Sequence, residues 1–231
     1  MMEPSFIITA DGSHSLYLKD LDQHYHSIHG AIQEGLHVFI EAGLKYITRQ
    51  NKSSIHILEI GFGTGLNAFL TFIVAEKLNL EINYSSLEAY PLGKEVISKL
   101  NYVECLKEEN RRGVFNLIHE VPWEQETVVS KSFTLHKIKN TLQEIVFENK
   151  YDLIYFDAFG PRVQPEMWTE ENFIKLFSAL NAGGSLVTYC AKGEVKRTLK
   201  KVGFLVEALP GPPGKREMIR GNKVINKNGN Q

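Results

Sequence analysis

Ile55-His56-Ile57-Leu58-Glu59-Ile60-Gly61-Phe62-Gly63-Thr64-Gly65-Leu66-Asn67 runs from an apolar stretch through three alternating glycines into a helical pattern. Ile55–Ile60 reads as a buried strand, and Leu66–Leu78 repeats apolar residues at helical spacing. A strand that feeds a helix through glycines opens a βαβ unit. Downstream, strands are expected at Ile82–Leu87, Ser132–Leu135, Asp152–Phe156, Ser185–Cys190, Phe204–Ala208 and Glu217–Arg220. Helices are expected at Lys94–Leu106, Glu170–Leu180 and Val195–Val202. Apolar strands alternating with helices imply an α/β fold: a doubly wound, mostly parallel sheet of Rossmann-like type, covered on both faces. Only the Gly/Pro stretch Pro210–Gly214 joins the last two strands, so they should form an antiparallel pair at the sheet edge. Tyr102–Lys131 is acidic and reads as irregular cover.

Upstream of this unit, the first residues read as a small β-hairpin with Asp11-Gly12 as its turn. A helix should follow from Ile28 to about Thr48, with Ile32, Leu36, Phe39, Ile40 and Ile47 on one face. The expected organisation is an N-terminal hairpin and helix extension (1–53), a catalytic domain (54–225) and a frayed end (226–231). The 231 residues suit one large core. The first ten residues lack a basic leader, and no stretch reaches the ~20 apolar residues of a membrane span. Cys105 and Cys190 form no Cys-x-x-Cys pair, which suits a reducing cytoplasm. Net charge is −1, but from Lys192 onward ten Lys and Arg stand against three Glu. Such a basic end suits contact with a polyanion, or is simply a solvated face.

The glycine turn carries the chemistry. Its spacing, with only Thr64 between Gly63 and Gly65, is not that of a dinucleotide fingerprint. Glu59, two residues before Gly61, would repel a pyrophosphate. S-adenosylmethionine has no phosphate and carries an ammonium that Glu59 could meet directly or through water. The helix that begins after Gly65, with Asn67 in its first turn, suits the cofactor carboxylate. Glu88 closes the second strand, where a carboxylate can accept both ribose hydroxyls.

At these residues the sequence resembles a known family, the methyltransferase domain of the MnmC type, or its stand-alone MnmD-like form. The resemblance rests on Tyr25-His26-Ser27, Gly30-Ala31, Glu34 and His37-Val38-Phe39; on Glu59–Asn67; and on Asp157-Ala158-Phe159-Gly160-Pro161 with Pro165-Glu166-Met167-Trp168-Thr169. Gly183-Gly184 and Lys215-Arg216-Glu217-Met218 complete it. It implies a class I S-adenosylmethionine-dependent methyltransferase fold. The implied activity is methylation of the amine of 5-aminomethyl-(2-thio)uridine at the tRNA wobble position, with the anticodon region as partner. The chain has no room for the flavin-dependent oxidase domain of fused family members, so another enzyme would supply the aminomethyl group. Lys137 stands where the family places an Asp near adenine, which leaves Asn140 or backbone groups for that contact.

Methyl transfer to an amine needs positioning and a free lone pair. Asp157, at the end of the fourth strand, is the candidate base and amine anchor, and as a rim residue a candidate cofactor contact too. A helix cap or loop carboxylate is the lesser alternative at this position. Tyr25 is expected to line the cofactor or amine pocket. His24, His26 and His29 crowd the same segment, but with no Cys nearby and no need in the reaction, no metal is expected. Phe159, Pro161 and Trp168 would shape the wall of a base pocket, with Phe159 and Trp168 able to stack on a base; core packing explains either ring equally well. Lys215 and Arg216 would contact phosphates, unless they are a solvated turn. A polyamine-type aminopropyltransferase would be expected to carry a second acid soon after Asp157, where Ala158-Phe159-Gly160-Pro161 stands instead. A small-molecule amine methyltransferase or a non-catalytic tRNA-binding module would also be compatible with this fold.

Overall fold

A computed structural model describes residues 4–50, 52–147 and 151–224; the end expected to fray, 226–231, lies outside the described residues. The central sheet contains β4 (Ser54–Ile60), β5 (Glu81–Leu87), β6 (Glu126–Ser130), β7 (Phe133–Ile138), β8 (Tyr151–Phe156), β9 (Leu180–Thr188), β10 (Leu205–Pro210) and β11 (Glu217–Asn222). Their order is β10-β11-β9-β8-β4-β5-β7-β6. The five inner strands from β9 to β7 are mutually parallel, and both flanks are antiparallel. From β4 the chain winds outward through β5 and β7, then returns to β8 on the other side of β4. That reversal opens a crevice beyond the strand ends.

Every residue of β8 is buried, as a central parallel strand requires. Alternate residues serve opposite faces. Ile55, Ile57, Leu153 and Tyr155 face one core, and Leu58, Ile60, Ile154 and Phe156 the other. The first core is covered by α1 (31–48), α2 (Leu66–Leu78) and α3 (Arg112–Glu120); the second by α4 (Glu170–Ala179) and α5 (Gly193–Val202).

The N-terminal extension joins the first core. Helix α1 begins at Ala31, three residues later than the sequence suggests, and is π-helical over Leu36–Leu44. Its packing is close: a Cβ on Gly43 would stand 3.1 Å from Val187 and 3.2 Å from Tyr155. The hairpin β1 (Ser5–Ile8) and β2 (His14–Leu18) is extended by the short β3 (Gln23–His24). Asp11 binds this hairpin to α1. One carboxylate oxygen accepts from Thr9 Oγ1 at 2.8 Å and Ser13 N at 3.1 Å, and the other from Gln33 N at 2.9 Å in the first turn of α1.

Three expectations fail between β5 and the end of β7. The single helix expected over Lys94–Leu106 is two short helices, Lys94–Ile97 and Tyr102–Cys105. Between them Asn101 accepts from His14 N at 2.7 Å and donates to Gly12 O at 2.9 Å, tying the break to the hairpin. The stretch Tyr102–Lys131, expected to be irregular, contains α3 and the edge strand β6. Strand β7 runs to Ile138 rather than Leu135.

Asp11 is expected to behave as a cap. Burial raises its pKa, but the bonds from Ser13, Gln33 and Thr9 outweigh that and hold it below the ordinary value. Its contribution is therefore complete above the carboxylate range and lost as pH falls through the depressed pKa. Asp11→Ala should cost about 1 kcal/mol in urea unfolding at neutral pH, and less in acid. Equal midpoints for variant and parent at neutral pH would contradict this.

Candidate functional site

The ends of β4, β5, β7 and β8 meet at one rim. Gly61, Gly63 and Gly65 have φ of 95°, 50° and 70°, a left-handed path that only glycine follows without strain. Gly61 N donates to Leu87 O at 2.9 Å, and Asp157 N to Ile60 O at 3.0 Å. A Cβ on Gly61 would stand 2.8 Å from the Asp157 carbonyl, so the turn and the β8 end are in direct contact. Glu88 braces the turn from the other side, accepting from Gly63 N at 3.0 Å and Tyr90 N at 2.8 Å. Each of its oxygens keeps a further lone pair.

These residues line a cavity of about 1030 Å³. Tyr25, Gly61, Gly63, Asn67, Glu88, Asn140, Asp157 and Phe159 are all on its wall. Tyr25 packs edge-on against Phe159 with centroids 5.2 Å apart, and its hydroxyl pKa is pushed up to about 12 by burial and by the Glu88 charge. Asp157 is raised to about 7, chiefly by burial and then by the Glu34 carboxylate; Asn67 Nδ2, donating at 2.8 Å, and the Lys215 charge pull the other way.

Several expected site residues sit elsewhere. Glu59 is fully buried beneath the turn, outside the cavity wall, and accepts from Ser86 Oγ at 2.6 Å. It cannot meet a ligand directly. Burial lifts its pKa to about 8. Gly65 is also off the wall, packed under the His119 ring. Trp168 cannot stack on a base: its ring is buried against Phe156 and Phe173, and Nε1 donates to Phe159 O at 2.8 Å. It supports the wall from behind. Pro161 lies in the adjoining turn, not on the wall. Lys215 is only partly exposed. Its ammonium pairs with Glu34 and lies 3.9 Å from the Tyr189 ring centroid. Arg216 is exposed. Lys137 lies inside β7, with Nζ donating to His119 O at 2.7 Å and lying 4.8 Å from the Trp123 ring centroid; burial lowers its pKa to about 8. It faces away from the cavity, and the strand-end residues on the wall are Lys139 and Asn140.

The sequence pointed to Glu34 only as part of a motif and gave no sign of Gln164, which lines the cavity. Glu34 joins two distant segments, accepting from Ser27 N at 2.8 Å and from Lys215. A charge among apolar residues of the expected helix was the one signal available in the sequence.

Residues 114–224 match a family described as S-adenosyl-L-methionine-dependent methyltransferase. The chain is 32% identical over 212 residues to the "tRNA 5-methylaminomethyl-2-thiouridine biosynthesis bifunctional protein MnmC" of Leptospira borgpetersenii serovar Hardjo-bovis, covering 87% of this chain and 32% of that protein. Its namesake in Campylobacter hominis is 28% identical over 215 residues, covering 89% and 31%. The chain thus spans about a third of the length of the curated relatives it matches. Among solved structures, MnmC2 from Aquifex aeolicus superposes with a TM-score of 0.78 at 24% identity, covering 96% of this chain and 70% of that one. This chain carries a methyltransferase domain of the MnmC type. Its cofactor is S-adenosylmethionine.

The cavity of the MnmC-type domain fits that cofactor. Its volume stands at the upper end of the ~300–1,000 Å³ range of small-ligand sites, as a cofactor with a substrate group beside it would need. Carboxylates at Glu88 and Asp157 flank a turn that no side chain fills, which favours hydroxyl and ammonium groups over phosphate. Among the described residues no group of three or more His, Cys, Asp or Glu could hold a metal ion, and no helix is long and apolar enough to cross a membrane.

Gly61→Ala should weaken S-adenosylmethionine binding by about tenfold or more, because the methyl group meets the Asp157 carbonyl at a positive φ. Gly12→Ala is the control: φ is 84° there, with open space around the added carbon. Calorimetry that finds Gly61→Ala binding like the parent would place the cofactor elsewhere.

Proposed function

We propose that the domain methylates the primary amine of 5-aminomethyl-(2-thio)uridine at the wobble position of tRNA, giving the 5-methylaminomethyl nucleoside. The observation that carries the chemistry is Asp157: a half-buried carboxyl at the cavity wall, held by Asn67 and raised to about 7. The RNA substrate is taken from what the relatives are named for. The enzyme that installs the aminomethyl group is a functional partner in this reading.

S-adenosylmethionine supplies a methyl group on a positively charged sulfur. Glu88 would take the ribose hydroxyls with its free lone pairs, and Asn140 the adenine edge. Asn67 and the turn amides would hold the amino-acid end, with Asp157 close by. Asp157 then orients the substrate amine. An ammonium has no lone pair, so it must shed a proton before it attacks. A substrate ammonium beside Asp157 favours the ionised carboxylate, which can accept that proton. The freed lone pair forms the nitrogen–carbon bond as the sulfur–carbon bond breaks. Tyr25 and Phe159 close the wall around the pair and limit water.

The basic end contributes less free charge than the sequence implies. Lys192, Lys196, Lys201, Lys215 and Arg220 are all in ion pairs. Arg197 and Lys200 on α5, together with Arg216, are exposed, and we assign the phosphate contacts to them rather than to Lys215.

kcat/KM for methylation of aminomethyl-tRNA should rise through about pH 7, as Asp157 of the free enzyme loses its proton. Asp157→Asn should lower the rate by roughly 10²–10⁴-fold and remove that inflection, with partial recovery at high pH where free amine is abundant. An Asp157→Asn enzyme with the parent rate and profile would reject the assignment.

A further inference from the structure

Gln164 lines the cavity together with Asp157, Phe159 and Met167, on the far side of the turn that follows β8. Its side-chain Oε1 accepts from Phe159 N at 3.1 Å. A backbone N–H can only donate, so the amide must present its oxygen to Phe159. The amide is planar, which directs Nε2 the other way. Among the described residues Nε2 has no protein partner. The backbone around it is fixed. Val163 N and Gln164 N donate to Gly160 O at 2.9 and 3.1 Å, and Met167 N donates to Gln164 O at 3.1 Å. Gln164 therefore offers this wall a donor and cannot rotate to offer an acceptor without losing the Phe159 bond.

A donor held this way selects among bases. Uracil and cytosine differ at C4, where uracil presents a carbonyl acceptor and cytosine an amino donor. C4 adjoins C5, the carbon that bears the aminomethyl group. An amine held at Asp157 thus brings the C4 substituent toward the segment after Asp157, to which Gln164 is bonded through Phe159. We propose that Gln164 is a specificity-determining residue that donates to O4 of the target uracil and excludes a cytosine at the same position. This rests on the reading of the substrate as a 5-aminomethyl pyrimidine nucleotide.

The test uses matched anticodon stem-loop RNAs that carry 5-aminomethyluridine or 5-aminomethylcytidine at the wobble position. The parent should prefer the uridine RNA by about 10- to 100-fold in kcat/KM, the effect of one paired against one opposed polar contact. Gln164→Glu keeps an acceptor for Phe159 N–H but turns an acceptor toward the base. Its preference should fall to parity or reverse, with S-adenosylmethionine binding unchanged by calorimetry. Gln164→Ala should also lose the preference. A purely structural role would lower both rates and leave their ratio intact. A parent that methylates the uridine RNA while both variants keep its ratio overturns the role of Gln164 alone, as does a parent with no preference. A parent that methylates neither RNA overturns the substrate reading and this inference with it.

Discussion

Where β4 and β8 part, the backbone of Gly61 lies against the carbonyl of Asp157, so close that a methyl group on Gly61 would overlap it. This contact has no room for a side chain and needs a positive φ, which together demand glycine. The rest of the site follows from it. The turn must fold back over Leu87, to which Gly61 donates, and this brings Glu88 within reach of Gly63. The same closeness sets Asn67, in the first turn of α2, against the Asp157 carboxylate. One backbone junction thus aligns a glycine turn and two acids along a single wall.

The wall stands over a buried polar layer. Glu59 and Asp157 share Asn67 as a neighbour, and each is raised by burial, Glu59 to about 8 and Asp157 to about 7. Burial disfavours the ionised form of Glu59, and the Asp157 charge raises it further, so Glu59 keeps its proton near neutrality. Among the described residues Glu59 Oε1 has no hydrogen-bond partner, which is tolerable for a carboxyl that is neutral there. Lys215 and Glu34 add a compensating ion pair on the outer side of Asp157. The acid at the cavity is therefore tuned by groups from α1, α2 and the β10–β11 loop, which ties the first helix to the chemistry.

The central fold was legible because its signals are local. A continuous apolar run such as Leu153–Phe156 and the glycines after Ile60 need no tertiary knowledge. α3 and β6 were missed because they are short and half-exposed; Val128 on the edge strand is 70% exposed. At the site, Asp157, Glu88 and Tyr25 were legible as residues that end strands or precede the first long helix. Glu59 was misplaced because burial depth at a strand end does not follow from spacing. Lys215 was misread since its partner Glu34 is 181 residues away in sequence. For Trp168 base stacking and core packing were equally open in the sequence; its indole N–H finds the Phe159 carbonyl and its ring joins the second core. Gln164 carried no sequence signal, because its meaning lies in which end of its amide the Phe159 N–H engages.

The most direct measurement is mass analysis of the wobble nucleosides in tRNA from the host strain with and without this gene. The account predicts that 5-aminomethyl nucleosides accumulate in the deletion strain while their methylaminomethyl forms disappear, and that the gene restores them only with Asp157 intact. Unchanged methylaminomethyl content in the deletion strain would contradict it.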